Sequence, residues 1–214
     1  MKEIQQDGKM DSFLVSCGLG HQEVKSFYSQ LEQLVQLIHS GHSQGQSPAT
    51  STNYSFVFDV PVNFSSLGEG ANSSFIVMTR SGIDKGACRP SDFLVVNLQG
   101  EILFHQEPVH RPSAEAPLHL ALYRQFPHIR CILHSHSILS SVLSRYYLAE
   151  GAMVFEGLEI QKGLKGIFTH ESRVRLPIVA NTQDMEELGR LLPTLELAQS
   201  WGLLLAGHGL YAWE

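Results

Sequence analysis

An apolar run that turns abruptly into two histidines constrains this chain more than any other stretch. Residues 130–137 read Arg-Cys-Ile-Leu-His-Ser-His-Ser and follow a proline at position 127, which predicts a strand. Side chains alternate between the two faces of a strand, so His134 and His136 point the same way and Cys131 points the other way. The pattern therefore predicts two imidazoles side by side on a rigid support, with the thiol of Cys131 facing away from them.

A third histidine completes a set that suits a metal ion. Catalytic zinc normally takes three protein ligands and keeps one position open, and neutral imidazole is a good zinc ligand. His208 is the best candidate, because it ends a second apolar run and lies between Gly207 and Gly209, which let backbone approach closely. The chain has 11 histidines, and a lone histidine at a strand end is often only hydrogen-bonded structure, so spacing alone leaves both interpretations open.

Composition narrows the class of protein. With 214 residues, 43% of them hydrophobic and 17% charged, the chain matches one globular domain. A net charge of −6 offers no electrostatic reason to expect nucleic acid or an anionic membrane as a partner. Three cysteines, an odd number, favour reduced thiols over a disulfide framework. Without an apolar run of membrane-spanning length or a signal peptide, we expect a cytoplasmic location.

The first half of the chain predicts more strands than helices. Residues 1–20 show no usable periodicity and are predicted to be an N-terminal tail, with a single domain over 21–214. Helical spacing of apolar residues predicts a helix from His21 to about Gly41. Strands are predicted at 54–60 and 75–79, and a hairpin at 93–98 and 101–105.

The second half alternates helices with strands. Ser113 is a plausible N-cap of a helix that Pro127 stops. After the histidine strand we expect a short helix at 139–147, a strand at 175–180, a helix at 184–199 that accommodates Pro193, and a final strand carrying His208. This order predicts an α/β fold, with a mixed sheet that starts antiparallel and carries helices on both faces.

Two polar segments have the composition of a binding site. Residues 41–55 are rich in hydroxyl and amide groups and predict either a solvated loop or a pocket edge that offers neutral donors to an anion. Residues 79–86 combine glycines, a hydroxyl and two basic side chains after a strand, which can wrap a phosphate with backbone amides or form an ordinary glycine turn. The Walker order of residues is absent, so nucleotide binding is not supported.

Several of these pieces together resemble the class II aldolase/adducin superfamily. Its zinc lyases share a His-x-His strand, a late Gly-His-Gly and a Pro-Ser-x-Glu before a helix. This chain has them at His134 and His136, at 207–209 and at 112–115. The resemblance covers most of the chain from about residue 22, and five segments agree in order with its dehydratases of ketose phosphates: 48–51, 81–86, 159–163, 181–184 and 207–211.

The resemblance implies a largely antiparallel three-layer α/β/α fold and a set of site residues. One Zn²⁺ per subunit would be bound by His134, His136 and His208. Glu159 would be the acid and base that moves protons during loss of water, and Glu115, close to the metal in related enzymes, is a second candidate. Taken without the resemblance, Glu159 is most simply a surface charge and Glu115 suits the dipole at the start of a helix.

The implied substrate is a small sugar phosphate. Its phosphate would lie among neutral donors and a helix N-terminus, and the residues concerned are Asn53, Ser81, Gly82 and Ser113. A sugar-phosphate aldolase of the fuculose or rhamnulose type and a non-catalytic adducin-like module are the alternatives. Superfamily members commonly form homotetramers, so a homo-oligomer is expected.

Two features depart from the family pattern. The chain stops at Glu214, where family members continue through a further helix, which bears on subunit packing. Thr52 stands where the family usually has glycine, which weakens the assignment of the neighbouring Asn53 as a phosphate contact.

Overall fold

A computed structural model describes residues 8–60, 74–197 and 199–214. The helices are α1 (Gly8–Ser16), α2 (His21–Ser43), α3 (Ala116–Gln125), α4 (Ile138–Tyr146) and α5 (Met185–Leu191). The strands are β1 (Asn53–Asp59), β2 (Ser74–Thr79), β3 (Phe93–Val96), β4 (Ile102–Phe104), β5 (Cys131–Ser135), β6 (Ala152–Phe155), β7 (Val174–Val179), β8 (Gly202–Leu205) and β9 (Gly209–Trp213).

The strands form one nine-stranded sheet in the order β4-β3-β2-β1-β5-β9-β8-β7-β6. Every neighbouring pair is antiparallel except β7 and β8, which are parallel. Phe56 and Phe58 pack with α1 and α2 on one face, whereas Val57 packs with α3 and α5 on the other, as alternation along a strand requires. The predicted mixed, largely antiparallel sheet with helices on both faces is confirmed.

The N-terminal segment differs from the predicted tail. Residues 8–16 form a helix whose Met10 and Leu14 are buried in the core, and the centroid of the Phe13 ring lies 5.2 Å from that of Phe104. Residues 1–7 of the predicted tail lie outside the described residues. A nine-residue helix has little stability of its own. Tertiary packing, which the local pattern does not report, therefore holds α1 in place.

Three local predictions are corrected. The helix predicted at 184–199 ends at Leu191 and continues as one 3₁₀ turn around Pro193, because proline lacks the amide that an α-helix needs; residue 198 of that range is outside the described residues. The single strand predicted around His208 is a hairpin of β8 and β9, turned at Gly207 with φ 71°. Ser113 precedes the helix without capping it, since the N-cap residue is Glu115.

The histidine strand lies in the middle of the sheet. β5 pairs with β1 and β9, so that His134 is flanked by Asn53 on one side and Tyr211 on the other. α4 starts directly after His136, with the Ser137 hydroxyl accepting a hydrogen bond from the Ser140 amide at 3.1 Å. Over the ranges that the structure covers, no helix is both long and apolar enough to cross a membrane.

Candidate metal centre

Four side chains from separate parts of the chain converge at the end of β5. They are Glu115, just before α3; His134 and His136; and His208, in the turn between β8 and β9. Their potential ligand atoms all lie within 4.8 Å of one another. Glu115 contacts His208 Nε2 at 2.9 Å through one carboxylate oxygen and His134 Nε2 at 3.4 Å through the other. The Nε2 atoms of His134 and His136 are 2.7 Å apart.

The outer nitrogens of two histidines already have partners. His134 Nδ1 donates to the carbonyl of Leu210, and His208 Nδ1 donates to Asn181 Oδ1, both at 3.1 Å. Because these oxygens accept hydrogen bonds, each Nδ1 carries the proton and each Nε2 keeps a free lone pair. A hydrogen bond that orients the outer nitrogen is the usual arrangement of a metal-binding histidine, so the donor set fits a divalent cation.

The electrostatics of the cluster also suit a cation. Burial lowers the pKa of His134, and burial with the neighbouring histidines lowers the pKa of His136 to about 4. Burial alone would raise the pKa of Glu115, but its close contacts with the imidazoles of His134 and His208 outweigh that effect and hold the pKa well below its usual range. Near pH 7 an ionised carboxylate therefore faces the neutral imidazoles of His134 and His136, which is the protonation state that metal binding needs.

Aromatic packing fixes the orientation of the His134 ring. The Tyr211 ring stacks on the His134 ring with centroids 4.0 Å apart and 19° between the planes. His119, one turn along α3 from Glu115, meets Tyr211 edge-on at 5.6 Å and contacts the Ser55 hydroxyl at 2.7 Å through Nδ1. Complete burial lowers the pKa of His119 to about 3. The His134 side chain, fully buried, is thus fixed by stacking and by a hydrogen bond.

The structure brings together part of the predicted phosphate set. Asn53 Nδ2 donates to Ser113 Oγ at 3.3 Å and to Glu115 at 2.5 Å. The Ser81 amide donates at 2.8 Å to the Arg111 carbonyl, two residues before Ser113, and Gly82 takes φ 75° in the same turn. Asn53 and Ser113 therefore adjoin the metal cluster, and the turn of Ser81 and Gly82 is tied to the segment that leads into Ser113.

Glu159 does not belong to the cluster of Glu115, His134, His136 and His208. It starts a 3₁₀ turn (Glu159–Gly163) between β6 and β7, and its carboxylate pairs with Lys162 and, at 3.2 Å, with His170. The side chain is 68% exposed and does not belong to the group of potential metal ligands. The geometry assembles Glu115, and not Glu159, with the three histidines.

Sequence reasoning assigned no role to the residues that orient the ligands: Asn181, Tyr211 and His119. One signal was available for Asn181, which follows β7 as His208 follows β8. Because β7 and β8 are parallel, their carboxyl ends meet at the same edge of the sheet. Nothing comparable marks His119, since its role depends on how α3 packs across the sheet.

Comparison with known sequences identifies relatives over most of the chain. Residues 32–214 match the family described as class II aldolase and adducin N-terminal domain. A methylthioribulose-1-phosphate dehydratase from Picosynechococcus sp. is 42% identical over 186 residues, covering 86% of this chain and 81% of the relative. A methylthioribulose-1-phosphate dehydratase from Xanthomonas campestris pv. campestris is 40% identical over 190 residues, covering 86% and 80%.

Solved structures share the fold at lower identity. An L-fuculose-1-phosphate aldolase from Thermus thermophilus superposes with a TM-score of 0.59 at 22% identity, covering 86% of this chain and 79% of that one. An aldolase II superfamily protein from Pseudomonas syringae has a TM-score of 0.65 at 16% identity, covering 91% and 68%. At these identities the likeness concerns the fold.

Proposed function

The chain belongs to the class II aldolase and adducin family, and from that premise we propose that it is a zinc-dependent methylthioribulose-1-phosphate dehydratase. This lyase would eliminate water from 5-methylthioribulose 1-phosphate to give 5-methylthio-2,3-dioxopentyl phosphate, a step of methionine salvage. The observation that carries the proposal is the convergence of three histidines and a carboxylate in a chain 42% identical to a dehydratase of that name.

Zinc is the ion that the donor set favours. His134, His136 and His208 would hold it through nitrogen, the ligand type that zinc accepts readily, and the set leaves room for substrate oxygen. The two outer hydrogen bonds, to Leu210 and Asn181, support this assignment because they fix the rings with Nε2 facing inward. Zinc bound there supplies Lewis acidity toward the oxygen atoms of the substrate.

The protein's carboxylates would move the protons. We assign Glu159 the removal of the proton beside the carbonyl and the protonation of the hydroxyl that leaves as water, a general acid and base role. Glu115, ionised and in contact with two of the histidines, is the second candidate and would also serve as a fourth ligand before substrate binds. Asn53, Ser81, Gly82 and Ser113 would hold the phosphate through neutral donors.

Product identification tests this function. The zinc-loaded protein is incubated with methylthioribulose 1-phosphate, and in parallel with fuculose 1-phosphate and rhamnulose 1-phosphate. Formation of the diketone from the first substrate is the expected result. Release of dihydroxyacetone phosphate from the other two would instead assign an aldolase, and a protein without stoichiometric divalent metal or turnover would be a non-catalytic module.

We also propose that the active protein is a homo-oligomer, a tetramer by family resemblance, and that it is cytoplasmic. Support for assembly comes from exposed apolar side chains, including Ile138, Leu139 and Val142 on α4, which starts directly after His136, and Phe168, two residues before His170. Exposed apolar patches of this kind mark interaction surfaces. Light scattering of the zinc-loaded protein measures its oligomeric state. The cytoplasmic location is supported by the three unpaired cysteines, which suit a reducing compartment.

A further inference from the structure

The loop between β2 and β3 carries a lysine in an unusual place. Lys85 is 1% exposed, and its ammonium group donates to two main-chain carbonyls, those of Ile83 at 3.2 Å and Thr50 at 3.3 Å. Lysine is almost never this buried unless its charge is paired. Within residues 8–60, 74–197 and 199–214, no carboxylate forms an ion pair with Lys85.

A second basic side chain of this loop, Arg80, is paired with a carboxylate. Arg80 contacts Asp92 through two nitrogens, at 2.7 and 2.9 Å, so its charge is neutralised locally. A buried ammonium that donates only to carbonyls carries a charge that is costly to keep, and burial accordingly lowers the pKa of Lys85. An anion bound nearby would offset that cost.

Lys85 also joins the two segments that are predicted to hold an anion. Thr50 belongs to the loop that leads into Asn53, and Ile83 follows Ser81 and Gly82. The ammonium bridges these segments through its hydrogen bonds to the Thr50 and Ile83 carbonyls. The buried ammonium of Lys85 is therefore linked directly to both loops that carry the neutral donors.

We propose that Lys85 is a positioning residue for the phosphate of the substrate. It aligns the Thr50 and Ile83 loops through their carbonyls and supplies the positive charge that the neutral donors lack. The inference rests on the proposed function, because the positive charge of Lys85 can attract the substrate only if the substrate carries a phosphate. Lys85 would act through the loops and through its field, without contacting the reacting carbon.

Two substitutions separate charge from structure. Lys85→Gln keeps a donor for the carbonyls and removes the charge, whereas Lys85→Met removes both. The matched control is Lys25→Met, which makes the same change of net charge at an exposed position on α2. Metal content and thermal unfolding are measured on all three zinc-loaded variants.

The readouts are the KM for methylthioribulose 1-phosphate and the binding of inorganic phosphate by calorimetry. We expect Lys85→Gln to raise KM and the dissociation constant of phosphate about tenfold, as loss of one nearby charge predicts, with kcat within about threefold and Lys25→Met unchanged. Binding of dephosphorylated methylthioribulose should not change. If Lys85→Gln binds phosphate like the wild type, Lys85 has only a structural role and the inference is wrong.

The two proposals fail separately. A wild-type protein that binds phosphate but does not dehydrate the substrate would overturn the function, while loss of phosphate binding in Lys85→Gln would still support the role of Lys85. Turnover by the wild type with an unchanged KM in Lys85→Gln would overturn the inference alone. Should Lys85→Met not fold, the comparison of Lys85→Gln with Lys25→Met decides.

Discussion

The metal cluster and the segment that carries Glu159 are built in opposite ways. His134, His136 and His208 end strands or fill a turn at the centre of the sheet, and their partners are fixed by packing and hydrogen bonds. Glu159 lies on an exposed 3₁₀ turn and is held by ion pairs with Lys162 and His170, which contribute little at a surface. The fold therefore preorganises the metal ligands. Glu159, the proposed general acid and base, must still approach them.

Removing a metal ligand should have the largest effect and would show how far the centre depends on each histidine. We expect His208→Ala to lose stoichiometric zinc and to lower kcat/KM about 10³-fold or more, because catalytic zinc needs three protein ligands and only two of the histidines remain. Elemental analysis and steady-state kinetics measure this. The control is His21→Ala, at an exposed position, and full activity of His208→Ala would exclude His208 as a ligand.

The two carboxylates test the contrast directly. Glu159→Gln should lower kcat by about 10² to 10⁴ with zinc content unchanged, as expected for loss of a general acid and base. Glu115→Gln should instead weaken zinc affinity about 10- to 100-fold, because the carboxylate contacts the ligands themselves.

Kinetics together with zinc titration against a competing chelator separates the two effects. Glu171→Gln, an exposed change in the same segment as Glu159, is the matched control. If Glu159→Gln keeps full activity, its assigned role is wrong, and the acid and base function passes to Glu115.

Acid should lower the free energy of unfolding through His119, which packs beside the metal cluster. Its pKa is about 3 in the folded chain against an ordinary value of 6.5, so the unfolded chain binds the extra proton between these values and stability falls as the pH drops below 6.5. At pH 5 this amounts to about 2 kcal/mol relative to neutral pH.

Urea unfolding of the metal-free protein at pH 5 and pH 7 measures the loss. His119→Gln should reduce the pH dependence by this amount, whereas His21→Gln should leave it unchanged. An identical pH dependence in His119→Gln and the wild type would mean that His119 does not stay neutral in the folded state.

The smallest effect concerns backbone strain in the loop that leads into Asn53, next to the metal cluster. Among the described residues, the non-glycine residues with positive φ are Ala49 at 55° and Thr52 at 79°, both in the loop that leads into Asn53. Glycine takes this conformation without penalty, so Thr52→Gly and Ala49→Gly should each stabilise the fold by about 1 kcal/mol.

Calorimetric unfolding should show a rise in Tm of about 2 to 4 °C for a chain of this length. Thr52 is buried and Ala49 is exposed, so a change of KM only in Thr52→Gly would place the strain at the substrate site. A lower Tm in both variants would contradict the assignment of strain to this loop.

Sequence alone determined much of the fold and the identities of the clustered histidines. Alternation along β5 put His134 and His136 on one face, and the apolar runs predicted the central strands within a residue or two of their observed ends. These features are local, because side-chain periodicity is set by the backbone of each element. Helix α1, the length of α5 and the hairpin at His208 were not predicted correctly, since packing, Pro193 and Gly207 decided them.

Only the tertiary structure decided which groups meet the histidines. The approach of Glu115, the hydrogen bond to Asn181, the stacking of Tyr211 and the burial of Lys85 all join residues far apart in the chain. No local pattern encodes these contacts, because they follow from the order of strands in the sheet and from the helices that pack across it. The separation of Glu159 from the cluster is of the same kind, a property of where its segment lies in the fold.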